Sequence, residues 1–135
     1  MSQRRLVDTN LIVRSLVPEN EKQARAARHF FEACERGEFV LVLLPAVLAE
    51  CVFVLESFYE KARTEIASAL SALISSPGVE MSDAAIHLDG LERYRKTRVH
   101  FVDCVIAATA AAEDTPVATF GQDFRKFADV RVEIQ

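Results

Sequence analysis

The sequence predicts a single α/β domain built on a mainly parallel sheet of four to five strands. Short apolar runs rich in Val, Ile and Leu alternate with stretches of helical periodicity. The chain has 135 residues, enough for one domain with a core of its own. No low-complexity tract, Gly/Ser linker or internal repeat divides it, so one domain over 1–135 is expected.

The elements follow in order. RRLVD (4–8) reads as a short buried strand with Asp8 at its carboxyl end. LIVRSLV continues as a short helix that stops near Pro18. From Asn20 to about Arg36, Ala24, Ala27, Phe31 and Cys34 recur at helical spacing, and Gly37 fits a C-terminal stop. FVLVLL (39–44) reads as a strand covered on both faces. Pro45 suits the first turn of a helix running to about Tyr59. A further helix spans Lys61 to about Ser75 and ends at Pro77-Gly78. VEM is a short strand, and Ser82 is placed to cap a helix reaching about Lys96. VDCVIAATAAA (102–112) is an Ala-rich helix suited to close packing. PVATF is a strand, DFRKF a helical turn and VRVEI a last strand. In open parallel sheets, sites lie at the carboxyl ends of strands, where Asp8 and the DFR segment fall.

Composition narrows the function. The net charge of −4 argues against a protein that coats nucleic acid through an overall basic field. The apolar run VLVLLPAVLAECVFVL (40–55) is too short to span a bilayer and is interrupted by Pro45, so no membrane association is expected. MSQRRLVDTNLIV carries an acid within its apolar part and does not read as a signal peptide, which implies a cytoplasmic protein with reduced thiols. Cys34, Cys51 and Cys104 have no metal-binding spacing and read as small buried hydrophobes.

The chemistry is suggested by three lone acids. Glu50 is the only charge in 40–55. Asp8 is the only one between Arg5 and Arg14, and Asp103 the only one between Arg98 and Glu113 with His100 neutral. Burying an isolated carboxylate costs several kcal/mol. Two such charges about 5 Å apart at an effective dielectric near 20 repel by roughly 3 kcal/mol more. Ion pairs with distant bases or one shared cation would each offset that cost. Mg²⁺ and Mn²⁺ favour oxygen ligands, whereas the Cys/His clustering of a zinc site is absent. Asp123 is a fourth candidate, or else the N-cap of its helical turn. RYRKTR (93–98) offers Arg93, Arg95, Lys96 and Arg98 for RNA phosphates and Tyr94 for base stacking. Its alternative is a solvated helix end whose bases complement the helix dipole. Arg14, Arg125 and Lys126 are lesser candidates. His29, His87 and His100 are isolated and read as surface or core histidines. Phe53, Phe58 and Tyr59 read as core, with a dimer surface or partner groove as the alternative.

LVDTNLIV, PAVLAECVFVL, FVDCVIAATA and VATFGQDFRKF, in that order, resemble the PIN-domain ribonucleases, especially the VapC-type toxins of type II toxin–antitoxin systems. The resemblance spans essentially the whole chain. It implies a three-layer α/β/α fold and a Mg²⁺- or Mn²⁺-dependent endoribonuclease leaving 5′-phosphate and 3′-hydroxyl ends. It also implies a homodimer, an RNA substrate and a cognate antitoxin partner. Position by position, the implied metal-binding and catalytic acids are Asp8, Glu50, Asp103 and Asp123. Thr9 and Asn10 match the polar pair after the first acid, where they would orient Asp8, bind water or cap the helix. Many relatives carry an acid or Asn where this chain has Gly121, which also keeps open a catalytically weak or inactive binding module. A haloacid-dehalogenase-like phosphatase is the less favoured enzyme, since Asn10 stands where that chemistry uses a second Asp.

Overall fold

Parallel pairing sets the framework. The computed structural model describes residues 3–135, and every strand pair in it is parallel. Met1 and Ser2, the start of the stretch read for an export signal, lie outside the described residues. The chain forms two compact units, 1–84 and 85–135.

The first unit holds β1 (Arg4–Leu6), α1 (Thr9–Leu16), α2 (Glu21–Glu35), β2 (Val40–Val42), α3 (Pro45–Phe53), α4 (Arg63–Ile74) and β3 (Val79–Glu80). Its sheet runs in the order β1-β2-β3, with Arg5 opposite Leu41 and Leu41 opposite Val79. Parallel neighbours need long connections, which α1–α2 and α3–α4 supply. Asn20 caps α2 by accepting from the Gln23 N–H at 2.9 Å. Gly37, at φ +86°, closes α2 as expected. Between α3 and α4, a π-helical turn covers Val54–Phe58.

Two strand expectations need correction. β1 is exposed throughout, and burial begins only at Val7. Its two arginines keep it wet: Arg4 bonds Glu80 at 2.7 Å and Arg5 lies 4.5 Å over the Phe39 ring. In and beside β2, Phe39, Leu41 and Leu43 are buried, whereas Val40 and Val42 are only half-buried. The strand is thus covered unequally on its two faces.

The second unit carries α5 (Ala84–Lys96), α6 (Phe101–Glu113), β4 (Val117–Thr119) and β5 (Val132–Ile134), with a 3₁₀ turn at Asp123–Lys126. α5 starts after Asp83, whose φ is +54°. β4 and β5 pair in parallel, Thr119 opposite Ile134. Cys104, Ala107, Ala108 and Ala110 bury one side of α6. A Cβ on Gly90 of α5 would come within 3.1 Å of Val105 Cγ2, so the two helices meet where α5 has no side chain. All three cysteines are buried and free, as read from the sequence. Among the described residues no helix is long and apolar enough to cross a membrane.

Candidate metal and nucleic-acid site

In the first unit, Asp8 follows β1 and caps α1, one carboxylate oxygen accepting the Leu11 N–H at 3.1 Å. The capping role left open for Thr9 and Asn10 therefore belongs to Asp8. Thr9 is buried and donates its hydroxyl to Glu50 Oε1 on α3. Asn10 is exposed and lines a cavity of about 330 Å³ with Asp8, Arg14 and Gln23. Cys51, next to Glu50, is fully buried. Burial, with Glu50 and then Asp8 adding repulsion, pushes its thiol up to about 12.

The burial cost expected of the lone acids does not arise. Asp8, Glu50 and Asp123 are exposed and Asp103 is half-buried. On α3 and the turn after it, Leu48, Cys51, Val52 and Leu55 face inward, and Glu50 falls between them on the wet side. Their isolation is nevertheless real. Among the described residues, Asp8, Glu50 and Asp103 have no ion pair, whereas Asp123 lies 3.5 Å from Lys126 Nζ.

In the second unit, Asp103 sits in the first turn of α6. It lines a cavity of about 550 Å³ with Ile106, Thr109, Val117, Thr119 and Phe124. Asp123 opens the 3₁₀ turn, but Gln122 occupies the cap position. Among the described residues no group of three or more His, Cys, Asp or Glu is gathered so as to hold a metal ion.

The basic segment changes meaning. Arg93, only 12% exposed, makes a two-pronged pair with Asp129, bonds Asp89 at 3.1 Å and lies 5.2 Å over Phe127. Its hydrogen bonds hold the Asp129 carboxyl below the usual range. Arg95 and Lys96 both reach Glu92, at 3.1 and 3.2 Å. Tyr94 is buried edge-on against Phe101, which corrects its reading as a stacking surface. Arg98 is exposed.

Sequence reasoning missed a polar network beside Asn10. Arg14 donates to Gln23 at 2.9 Å and to the Tyr59 hydroxyl at 3.0 Å, and that hydroxyl donates to Glu19 at 2.8 Å. Phe53 and Phe58 are exposed, which corrects their reading as core. With Asn10, Arg14 and Tyr59 they line a cavity of about 400 Å³.

The sequence model of the PIN domain matches residues 5–130. The chain belongs to the PIN-domain family. Over 123 residues it is 25% identical to a VapC ribonuclease of Aquifex aeolicus (strain VF5), covering 90% of each protein. PIN membership sets aside the dehalogenase-like phosphatase. PIN domains are typically nucleases and use divalent metals. The donor chemistry suits such an ion: carboxylates are hard oxygen donors, and among the described residues exposed Asp8 and Glu50 and half-buried Asp103 have no ion pair.

Proposed function

We propose that this PIN-family chain is a Mg²⁺- or Mn²⁺-dependent endoribonuclease and the toxin of a toxin–antitoxin pair. The contrast between unpaired and paired acids carries the reading. Among the described residues Asp8, Glu50 and Asp103 have no ion pair, while Asp89, Glu92 and Asp129 are ion-paired. In this reading residues 1–135 act as one PIN-like domain, in the cytoplasm, as a homodimer with a cognate antitoxin. The similarity to a VapC ribonuclease supports the RNA substrate and the antitoxin.

The acids proposed as metal ligands are Asp8 and Glu50 in the first unit and Asp103 and Asp123 in the second. When bound, the ion supplies a water of lowered pKa and offsets charge building on the phosphate oxygens. The chain does the rest by positioning. The Leu11 N–H fixes one oxygen of Asp8, and the Thr9 hydroxyl fixes one of Glu50. Asp103 opens onto a cavity large enough for a nucleotide to approach. Arg98 and Arg125 are exposed cations suited to phosphates. No side chain is required as a covalent nucleophile.

The test is cleavage of a cellular RNA pool by purified, antitoxin-free protein, with and without Mg²⁺ or Mn²⁺, beside Asp103→Asn. Metal-dependent cleavage that the variant loses is expected. Equal rates for both proteins would remove the site. Gly121 favours a second reading, a weak or inactive binding module. A Cβ there would meet nothing nearer than Thr119 Oγ1 at 3.7 Å, so packing does not demand the glycine. RNA binding without cleavage in the same assay would establish that module.

A further inference from the structure

The network that holds Arg14 in place does not cancel its charge. Asn10 and Arg14 stand one turn apart on α1 and so share a face. Both line the cavity of about 330 Å³ that Asp8 lines, where Arg14 is the only basic residue among the described residues. Its side chain is 28% exposed and is aimed by two neutral acceptors: Nε donates to Gln23 Oε1 and Nη1 to the Tyr59 hydroxyl. Among the described residues one carboxylate comes within ion-pair reach, Glu19 at 3.6 Å. That distance is too long for a hydrogen bond, and the same Glu19 oxygen already accepts from Tyr59. Nη2 has no hydrogen-bond acceptor among the described residues. Arg93 differs, because Asp89 and Asp129 take up its charge.

Asp8 supplies the opposite charge. It lines the same cavity yet forms no ion pair among the described residues, so acid and base share a space without meeting. A ligand that satisfies both must be cationic toward Asp8 and anionic toward Arg14. A metal ion alone would be drawn to Asp8 and repelled by Arg14, and a phosphate alone the reverse. A divalent ion together with a phosphate answers both charges at once. The guanidinium is also suited to wait for such a ligand. Gln23 and Tyr59 have already taken the freedom of its long side chain, so little more is lost when an anion arrives.

We propose that Arg14 is a substrate-binding residue whose Nη2 donates to a non-bridging oxygen of the phosphate drawn to Asp8. This rests on the ribonuclease reading and adds a cation to its acids. Arg14 would offset charge on the phosphate oxygens from the side away from the carboxylates. Along the chain Arg14 is a single arginine and RYRKTR the conspicuous basic run. The fold reverses that order, since Arg93, Arg95 and Lys96 spend their charge on carboxylates and Arg14 keeps its own.

The test is the anisotropy of a short fluorescein-labelled RNA over a salt series with Mn²⁺. It uses an Asp103→Asn background, which is expected to keep the RNA intact. Arg14→Gln should weaken binding about tenfold and lower the slope of log affinity against log salt by about 0.7–1, the share of one phosphate. Gln23→Glu leaves Arg14 itself untouched, keeps the tie and sets a carboxylate against the guanidinium. It should melt no lower than its parent and lower the slope in the same way. Tyr59→Phe loosens the tie and keeps the charge, so its slope should stay at the parent's. Binding is read without cleavage, so failure of the nuclease reading and failure of this inference stay separate. If the wild type cleaves, Arg14→Gln should also lower kcat/KM on the order of 10²-fold. A slope unchanged in both Arg14→Gln and Gln23→Glu would overturn the inference. Equal loss of affinity in Arg14→Gln and Tyr59→Phe, with that slope intact, would then make Arg14 a tie between helices and nothing more.

Discussion

Two polar clusters, the start of α1 and the end of α5, are equally conspicuous in the sequence and end in opposite states. At the start of α1, neutral donors hold the acids: a backbone N–H on Asp8 and a hydroxyl on Glu50. A neutral donor orients a carboxylate and leaves its charge in place. At the end of α5, Arg93, Arg95 and Lys96 each meet a carboxylate. Those charges are largely cancelled within the fold. Formal charge counted along a chain therefore says little about charge offered to a ligand; the type of partner decides.

The largest effect should come from removing a charge at the first cluster while keeping its hydrogen bond. Asn caps a helix about as well as Asp. Asp8→Asn should therefore melt within about 0.5 kcal/mol of wild type without metal. It should cleave RNA on the order of 10²- to 10³-fold more slowly. It should also lose the stabilisation that Mn²⁺ gives wild type, about 2.7 kcal/mol at a hundred times Kd. A variant that melts far lower yet still responds to Mn²⁺ would make Asp8 a structural cap only.

Thr9→Val keeps the shape and removes the hydroxyl that steadies Glu50. Calorimetric titration should show Mn²⁺ affinity about 10- to 100-fold weaker, with Thr9→Ser restoring it. Unchanged affinity would show that Glu50 needs no such anchor.

The second cluster predicts a smaller effect on stability rather than on binding. Arg93→Leu should lose about 1–2 kcal/mol in urea unfolding, allowing for the exposure of Asp129, with RNA affinity unchanged. The loss should depend on pH. Arg93 depresses the folded pKa of Asp129, so the unfolded chain takes up that proton first. The contribution is complete above about pH 4 and fades as pH falls through the depressed value. Wild type and variant should converge in acid. Intact stability with weakened RNA binding would reverse the contrast between the clusters.

Much of the fold was legible because period and punctuation agreed. Ala24, Ala27 and Cys34 marked the inner face of α2, and Asn20 and Gly37 its ends. The five short strands announced themselves by composition. What escaped was orientation. α3 is almost wholly apolar, so nothing in its pattern showed that Glu50 faces water while Cys51 does not. β1 is three residues long, too short for alternation to declare which side is covered. At the candidate site, Asp8, Glu50 and Asp103 stood out as lone charges. The Thr9–Glu50 bond joins residues 41 positions apart and Arg93–Asp129 joins residues 36 apart, and no local pattern encodes either.

The turn after α3 shows what one surplus residue can accomplish. Tyr59 N–H reaches back five positions to the Val54 carbonyl, so each hydrogen bond here spans one more residue than in an ordinary helix. Deleting one of residues 54–58 would let the coil wind normally, four residues then covering nearly the angle that five cover here. With the residue kept, an ordinary helix would carry the Tyr59 phenol about 100° round the axis and away from Arg14. Here length itself is the specification, and a survey of point substitutions would pass over it.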